Sequence, residues 1–160
     1  EAAAIAVRLA GGADAGMRET PHAPAFKRAP SQQYARALYS GGSYCAEAQV
    51  IWRTRGLSAW SNAPLDKARK LADSRVSREH TAVDLGEDEF TVGRPHPMID
   101  LSAGVERMLA EARDPGTAVI LLDVVLGYGS HDDPAGVLAE ALHDVRAIAA
   151  RDGREGSGRA

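Results

Sequence analysis

Ala118-Val-Ile-Leu-Leu-Asp-Val-Val-Leu126 is apolar at every position but Asp123, and it runs straight into Gly127-Tyr-Gly-Ser-His-Asp-Asp-Pro134. A strand apolar on both faces is covered by helices from both sides, the habit of a central strand in a parallel sheet. Glycines and polar residues then turn the chain. Pro134 stands where proline suits the first turn of a helix, with Asp133 before it as the cap. Val137, Leu138, Ala141, Leu142, Val145 and Ile148 recur at helical spacing and mark that helix's buried side.

Working outward, the same strand, turn and helix unit occurs twice upstream. Tyr34–Tyr39 reads as a strand, Ser40-Gly41-Gly42-Ser43 as the turn, and Tyr44–Arg55 as a helix capped by Ser43 with Ala48, Ile51 and Trp52 on one face. Leu57–Asn62 is a connection, and Pro64 is expected to open a second short helix. His80–Leu85, β-branched at Thr81 and Val83, is the next strand and feeds a long loop, Gly86–Ile99. Asp100 is expected to cap a helix carrying Leu101, Val105, Met108 and Ala112 at helical spacing. Three such units predict right-handed crossovers and an α/β, doubly wound parallel sheet. Ligands bind such sheets at the carboxyl ends of the strands, so the loops to inspect are Ser40–Ser43, Gly86–Ile99 and Gly127–Asp133.

Composition sets the bounds. A chain of 160 residues suits one ordinary domain, here with a core of small and aliphatic residues: 44% of residues are hydrophobic, 30 are Ala, and only 5% are aromatic. The single Cys45 excludes an internal disulfide framework and favours a reducing, cytoplasmic setting. Nineteen Lys and Arg against 22 Asp and Glu give a net charge of −3 without a basic run, which makes no case for nucleic acid or an anionic membrane. No apolar stretch reaches the roughly 18 residues of a membrane-spanning helix. Residues 1–12 read as the tail of a helix stopped at Gly11-Gly12, 13–30 as a linker with Pro21, Pro24 and Pro30, 31–152 as the α/β domain, and 153–160 as a polar tail. The expectation is a fragment of a larger protein.

Several residues could carry chemistry. Gly41, Gly42 and Ser43 would present backbone N–H groups at a helix N-terminus, a place that attracts anions, although a tight strand-to-helix turn asks for the same glycines. Cys45 lies in the first turn of that helix, where a thiol is activated if exposed and inert if buried. In the long loop, Pro95 and Pro97 restrict His96, and Arg94 beside it offers a guanidinium suited to phosphate or carboxylate. The alternative there is structural: Arg94 pairs with Glu87, Asp88 or Glu89, and His96 bonds to backbone. A rigid loop favours a positioned, neutral His96 over a swinging phosphoryl carrier. No familiar ligand spacing links Asp84, Asp88, His96 and Asp100, so no metal is expected. His131 and Asp132 have no defined role, and Asp123 needs partners or a place near the strand's end facing the cleft.

Leu38-Tyr-Ser-Gly-Gly-Ser-Tyr-Cys-Ala-Glu-Ala48, Ser61-Asn-Ala-Pro-Leu65, Asp84-Leu-Gly-Glu-Asp-Glu-Phe-Thr-Val-Gly-Arg-Pro-His-Pro-Met-Ile-Asp100 and Leu121–Gly129 with Asp133-Pro134 resemble the C-terminal part of the FdrA proteins, relatives of succinyl-CoA synthetase. The resemblance implies a flavodoxin-like domain of the CoA-ligase type. In succinyl-CoA synthetases such domains carry a phosphorylated His on a loop, and two helix N-termini cradle the phosphate; here those helices would begin near Ser43 and Asp100. Where the synthetases have Gly-His-Ala-Gly, this chain has Gly-Gly-Ser-Tyr-Cys-Ala, without the histidine. Anion binding at Gly41, Gly42, Ser43 and Gly86, with His96 and Arg94 as the catalytic candidates, is what the resemblance leaves. It further implies CoA and a nucleoside triphosphate held largely outside this fragment, other domains or subunits of the same complex as partners, with homo-oligomers as one form. Carbamoyl transfer in purine or allantoin breakdown is the implied setting. The competing expectation is a scaffolding or regulatory domain that has lost the phosphohistidine.

Overall fold

The computed structural model describes residues 28–151. The expected helix tail at 1–12, nearly all of the 13–30 linker and the tail at 153–160 lie outside the described residues. Four strands, β1 (Tyr34–Tyr39), β2 (Trp60–Ser61), β3 (Thr81–Asp84) and β4 (Thr117–Leu122), form one sheet in the order β2-β3-β1-β4. All pairings are parallel, with Arg36 opposite Thr81 on one side and Ile120 on the other. The helices are α1 (Gly42–Thr54), the single turn α2 (Asp88–Thr91), α3 (Ser102–Arg113) and α4 (Pro134–Arg151). This is the parallel α/β fold expected from the three strand and helix units.

Alternation along β1 sorts its side chains between two layers. Ala37 faces α1 and, with Ala82, is fully buried against Cys45, Ala48 and Trp52; residues this small let the helix lie close to the sheet. Leu38 faces the other way and joins Val83, Leu85, Met108 and Ala141 under α3 and α4. Met108 and Leu38 are nearly inaccessible to solvent, and each such side chain stabilises the fold by about 2–3 kcal/mol. Arg36 shares the Leu38 face at the amino end of the sheet. Its guanidinium Nε lies 3.0 Å from Glu111 Oε2 and its Nη2 2.6 Å from Asp114 Oδ2. Arg107 Nε donates to Glu111 Oε1 at 2.8 Å, so one buried carboxylate serves two guanidiniums.

The structure departs from expectation in five places. Pro64 opens no helix: buried Gln49 on α1 donates from Nε2 to Ala63 O (3.1 Å) and accepts the Leu65 N–H on Oε1 (3.0 Å), holding that segment in an irregular bend, and only a 3-10 turn forms at Lys67–Arg69. The connection at Trp60 instead adds the two-residue β2 outside β3. Ser43 does not cap α1; the cap is Gly41, two residues earlier. Asp100 accepts the Ser102 N–H at 3.0 Å, but the cap position itself is Leu101. Finally, β4 ends at Leu122 and is an edge strand among the described residues, with Val119 and Leu121 each 38% exposed on the face opposite α3 and α4.

Candidate functional site

The carboxyl ends of β1, β3 and β4 meet at Ser40, Asp84 and Asp123. Ser40 donates to Asp123 Oδ1 from both its backbone N–H (2.8 Å) and its hydroxyl (3.1 Å), so the carboxylate left just beyond β4 ties that strand end to β1. This is the role that satisfies Asp123 near the strand's end. Gly41 then enters α1 with extended backbone (φ −163°, ψ 159°) and no side chain caps the first turn. A helix that begins without a side-chain cap leaves its leading N–H groups for solvent or a ligand. Gly42 and Ser43 are both exposed there.

Asp84 closes β3 and is only 4% exposed. Its backbone is gripped from the side by Asn62, which accepts the Asp84 N–H on Oδ1 (2.9 Å) and donates from Nδ2 to Asp84 O (2.8 Å). The same Nδ2 donates to Glu89 Oε1 at 3.0 Å, and Ser74 Oγ donates to Glu89 Oε2 at 2.6 Å. Glu89 therefore serves Asn62 and Ser74 rather than Arg94. On the side chain, Asp84 Oδ1 accepts the Gly86 N–H at 2.8 Å, while Oδ2 reaches toward α1. A Cβ on Gly42 would lie 2.9 Å from that oxygen, and one on Gly86 would lie 2.8 Å from Ser40 O and 3.1 Å from His96 Nε2. Glycine is required at both positions by close approach, and the approach at Gly86 shows that the first two loops converge.

His96 is half-buried. Its Nδ1 accepts the Met98 N–H at 3.3 Å, which puts the proton of the neutral ring on Nε2, the atom facing Gly86. Its carbonyl accepts the N–H groups of Ile99 and Asp100, so the loop is held from its own backbone as well as by Pro95 and Pro97. The third loop joins through the His131 N–H, which donates to Met98 O at 2.8 Å. Between the strand ends and the starts of α3 and α4 lies a cavity of about 30 Å³, lined by Leu38, Ser40, Leu85, Met98, Asp123 and Val124 among others. The hydrogen bond from the Ser102 backbone holds the exposed Asp100 carboxyl below its ordinary range.

Gly41, Gly42, Ser43, Gly86 and His96 are thus gathered at one end of the sheet. Arg94 is not among them: it is exposed and lines a separate groove of about 470 Å³ with Arg75, Glu89, Phe90, Glu106 and Arg107. Cys45 is fully buried, and burial pushes its thiol above the ordinary value, so it is the inert cysteine of the two alternatives. Burial raises the Tyr39 hydroxyl likewise, with the charges of Cys45 and Asp123 adding to it. Among the described residues no three of His, Cys, Asp and Glu come together as a metal-binding group. No helix among them is long and apolar enough to cross a membrane.

Asp84 and Asn62 escaped the sequence reading as site residues. An Asp at a strand end reads as a terminator, and the Asn, far off in sequence, meets it only through β2. The usable signal was the polar Ser61-Asn62 pair just ahead of Pro64, in a chain otherwise changing direction.

A family model described as CoA-ligase matches residues 38–153, which includes every residue named at the sheet's carboxyl end. The uncharacterized protein YahF of Escherichia coli (strain K12) is 44% identical over 126 residues, covering 79% of this chain and 24% of that relative. The chain therefore spans about a quarter of the length of the curated relative it matches. With a parallel α/β sheet, a glycine turn opening α1 and a match over most of its length, this chain belongs to the CoA-ligase family.

Proposed function

We propose that this chain is the CoA-ligase domain of an FdrA-type, acyl-CoA synthetase-like protein, and that it binds the phosphate or carboxylate end of an activated acyl or carbamoyl group. The observation that carries the reading is the uncapped α1 start at Gly41 and Gly42, facing Gly86 and His96 where the strands end. Backbone amides of Gly41, Gly42 and Ser43 hold the anion beside Gly86, whose own N–H is taken by Asp84 Oδ1, and His96 Nε2–H donates a hydrogen bond or relays a proton. In this reading Arg94 contributes positive charge from its neighbouring groove rather than by direct contact.

His96 does not carry the phosphoryl group, because its loop is braced on both sides and at both backbone and ring. In this reading CoA and a nucleoside triphosphate are bound largely outside this fragment. Both would be held by other domains or subunits of a cytoplasmic complex.

The test is titration of the isotope-labelled chain with inorganic phosphate, read by amide chemical shifts. Shifts should concentrate at Gly41, Gly42, Ser43 and Gly86 and disappear in Gly42→Ala, whose added carbon meets Asp84 Oδ2. Shifts confined to the groove of Arg75 and Arg94 would overturn the reading.

A further inference from the structure

An anion seated at the start of α1 does not meet donors alone. Asp84 stands beside it, nine-tenths buried, with its position set by Asn62 at the backbone and by the Gly86 N–H at Oδ1. Its Oδ2 has no hydrogen-bond donor among the described residues, and it lies 2.9 Å from where a side chain on Gly42 would begin. Repulsion from a fixed carboxylate works against any fully ionised oxyanion at that helix terminus, while a ligand that brings its own O–H turns the same oxygen into a hydrogen-bond acceptor.

We infer that Asp84 makes this site selective for a protonated oxyanion, such as phosphate or a phosphate monoester in its protonated form, and that it rejects tetrahedral anions without a proton to donate. Helix amides take the negative oxygens and Asp84 Oδ2 takes the O–H. A site built to accept a hydrogen bond discriminates strongly against the analogue that lacks it, because the fixed acceptor is then left facing negative charge. The inference rests on the anion-binding reading above and adds the residue that decides which anion.

The experiment measures binding of four anions of similar shape to the chain near neutral pH in chloride buffer: phosphate and arsenate, which keep a proton there, and sulfate and selenate, which do not. Phosphate and arsenate should each bind at least tenfold more tightly than sulfate and selenate. In Asp84→Asn, which keeps an oxygen for the Gly86 N–H and replaces the free acceptor with a donor, the ratio should fall to within about twofold, mainly because sulfate gains. Equal affinities for all four anions in the unaltered chain would overturn the inference while leaving the anion site standing. Discrimination that persists in folded Asp84→Asn would overturn it as well. Should the variant fail to fold, the four-anion comparison on the unaltered chain still decides. Binding of none of them would remove the anion site and this inference together.

Discussion

Asn62 is the side chain on which the site's geometry hangs, and replacing it gives a measurable cost. Asn62→Ala removes the acceptor for the Asp84 N–H and the donors to Asp84 O and Glu89 Oε1. Glu89 keeps Ser74, but the two Asp84 backbone groups are left without partners in a residue only 4% exposed. Each buried orphan costs about 1–3 kcal/mol, so the expected loss is about 3 kcal/mol, a large part of the ~5–15 kcal/mol that holds a domain together. Asn62→Asp should be worse still. It keeps the acceptor but sets a second carboxylate where Nδ2 now lies 3.0 Å from Glu89 Oε1, and two ionised carboxylates at that spacing repel by several kcal/mol even at an effective dielectric of about 20. Urea unfolding followed by the fluorescence of Trp52 and Trp60 is the assay. At a slope of about 2 kcal/mol per molar, the midpoint for Asn62→Ala should drop by roughly 1.5 M with the slope unchanged. A drop worth less than about 1 kcal/mol, or Asn62→Asp as stable as the parent, would refute the view that this amide holds the end of β3.

The buried ionic cluster at the other end of the sheet gives a second expectation: Glu111→Gln keeps the shape but leaves Arg36 and Arg107 with too little negative charge, and should cost about 3–5 kcal/mol in the same assay. A loss under about 1 kcal/mol would mean that Asp114 alone balances the pair. For Cys45, alkylation of the native protein should be far slower than that of a free thiol and should become fast only in denaturant; rapid native labelling would contradict its burial. Because burial raises this thiol in the folded state, its contribution is fully present below the ordinary value of 9.0 and is lost as pH rises through the higher folded value. The stability difference between the parent and Cys45→Ala should therefore shrink as pH rises from 9.0 toward the folded value, and a difference that stays constant over that range would count against it.

The three long strands were legible because each joins an apolar or β-branched run to a glycine-containing turn and a helical pattern. What sequence could not supply was the side chain that competes with local preference. Pro64 suits the first turn of a helix, yet Gln49, on a helix already formed, takes the backbone of Ala63 and Leu65 for itself. Ser43 suits a cap, yet the close approach of Asp84 to Gly42 lets the helix start earlier, on glycine. At the site, His96 and the glycines were visible as a rigid loop and a turn. Asp84 was hidden because its meaning depends on Asn62, and nothing in the local pattern of either residue says that they touch. Arg94 shows the converse: adjacent in sequence to His96's loop, it points into another groove. The apolar pattern of β4 was read as that of a central strand covered on two faces, whereas among the described residues it is an edge strand covered on only one.

The parallel order of the sheet also has a consequence in time. β1 is made first, but its hydrogen-bonding edges are completed only by β3 and β4, with Arg36 waiting for Thr81 on one side and Ile120 on the other. During synthesis the segment Tyr34–Tyr39 leaves the ribosome long before either neighbour exists, and no hairpin can protect it meanwhile, since parallel strands need a crossover between them. Loop closure over such distances is slow compared with helix formation, so α1 can form and fold back on β1 well before the sheet does. Refolding of the isolated chain should accordingly lag behind its helix content, and the transient exposure of Leu38 makes the nascent domain most prone to aggregation before Leu122 has emerged.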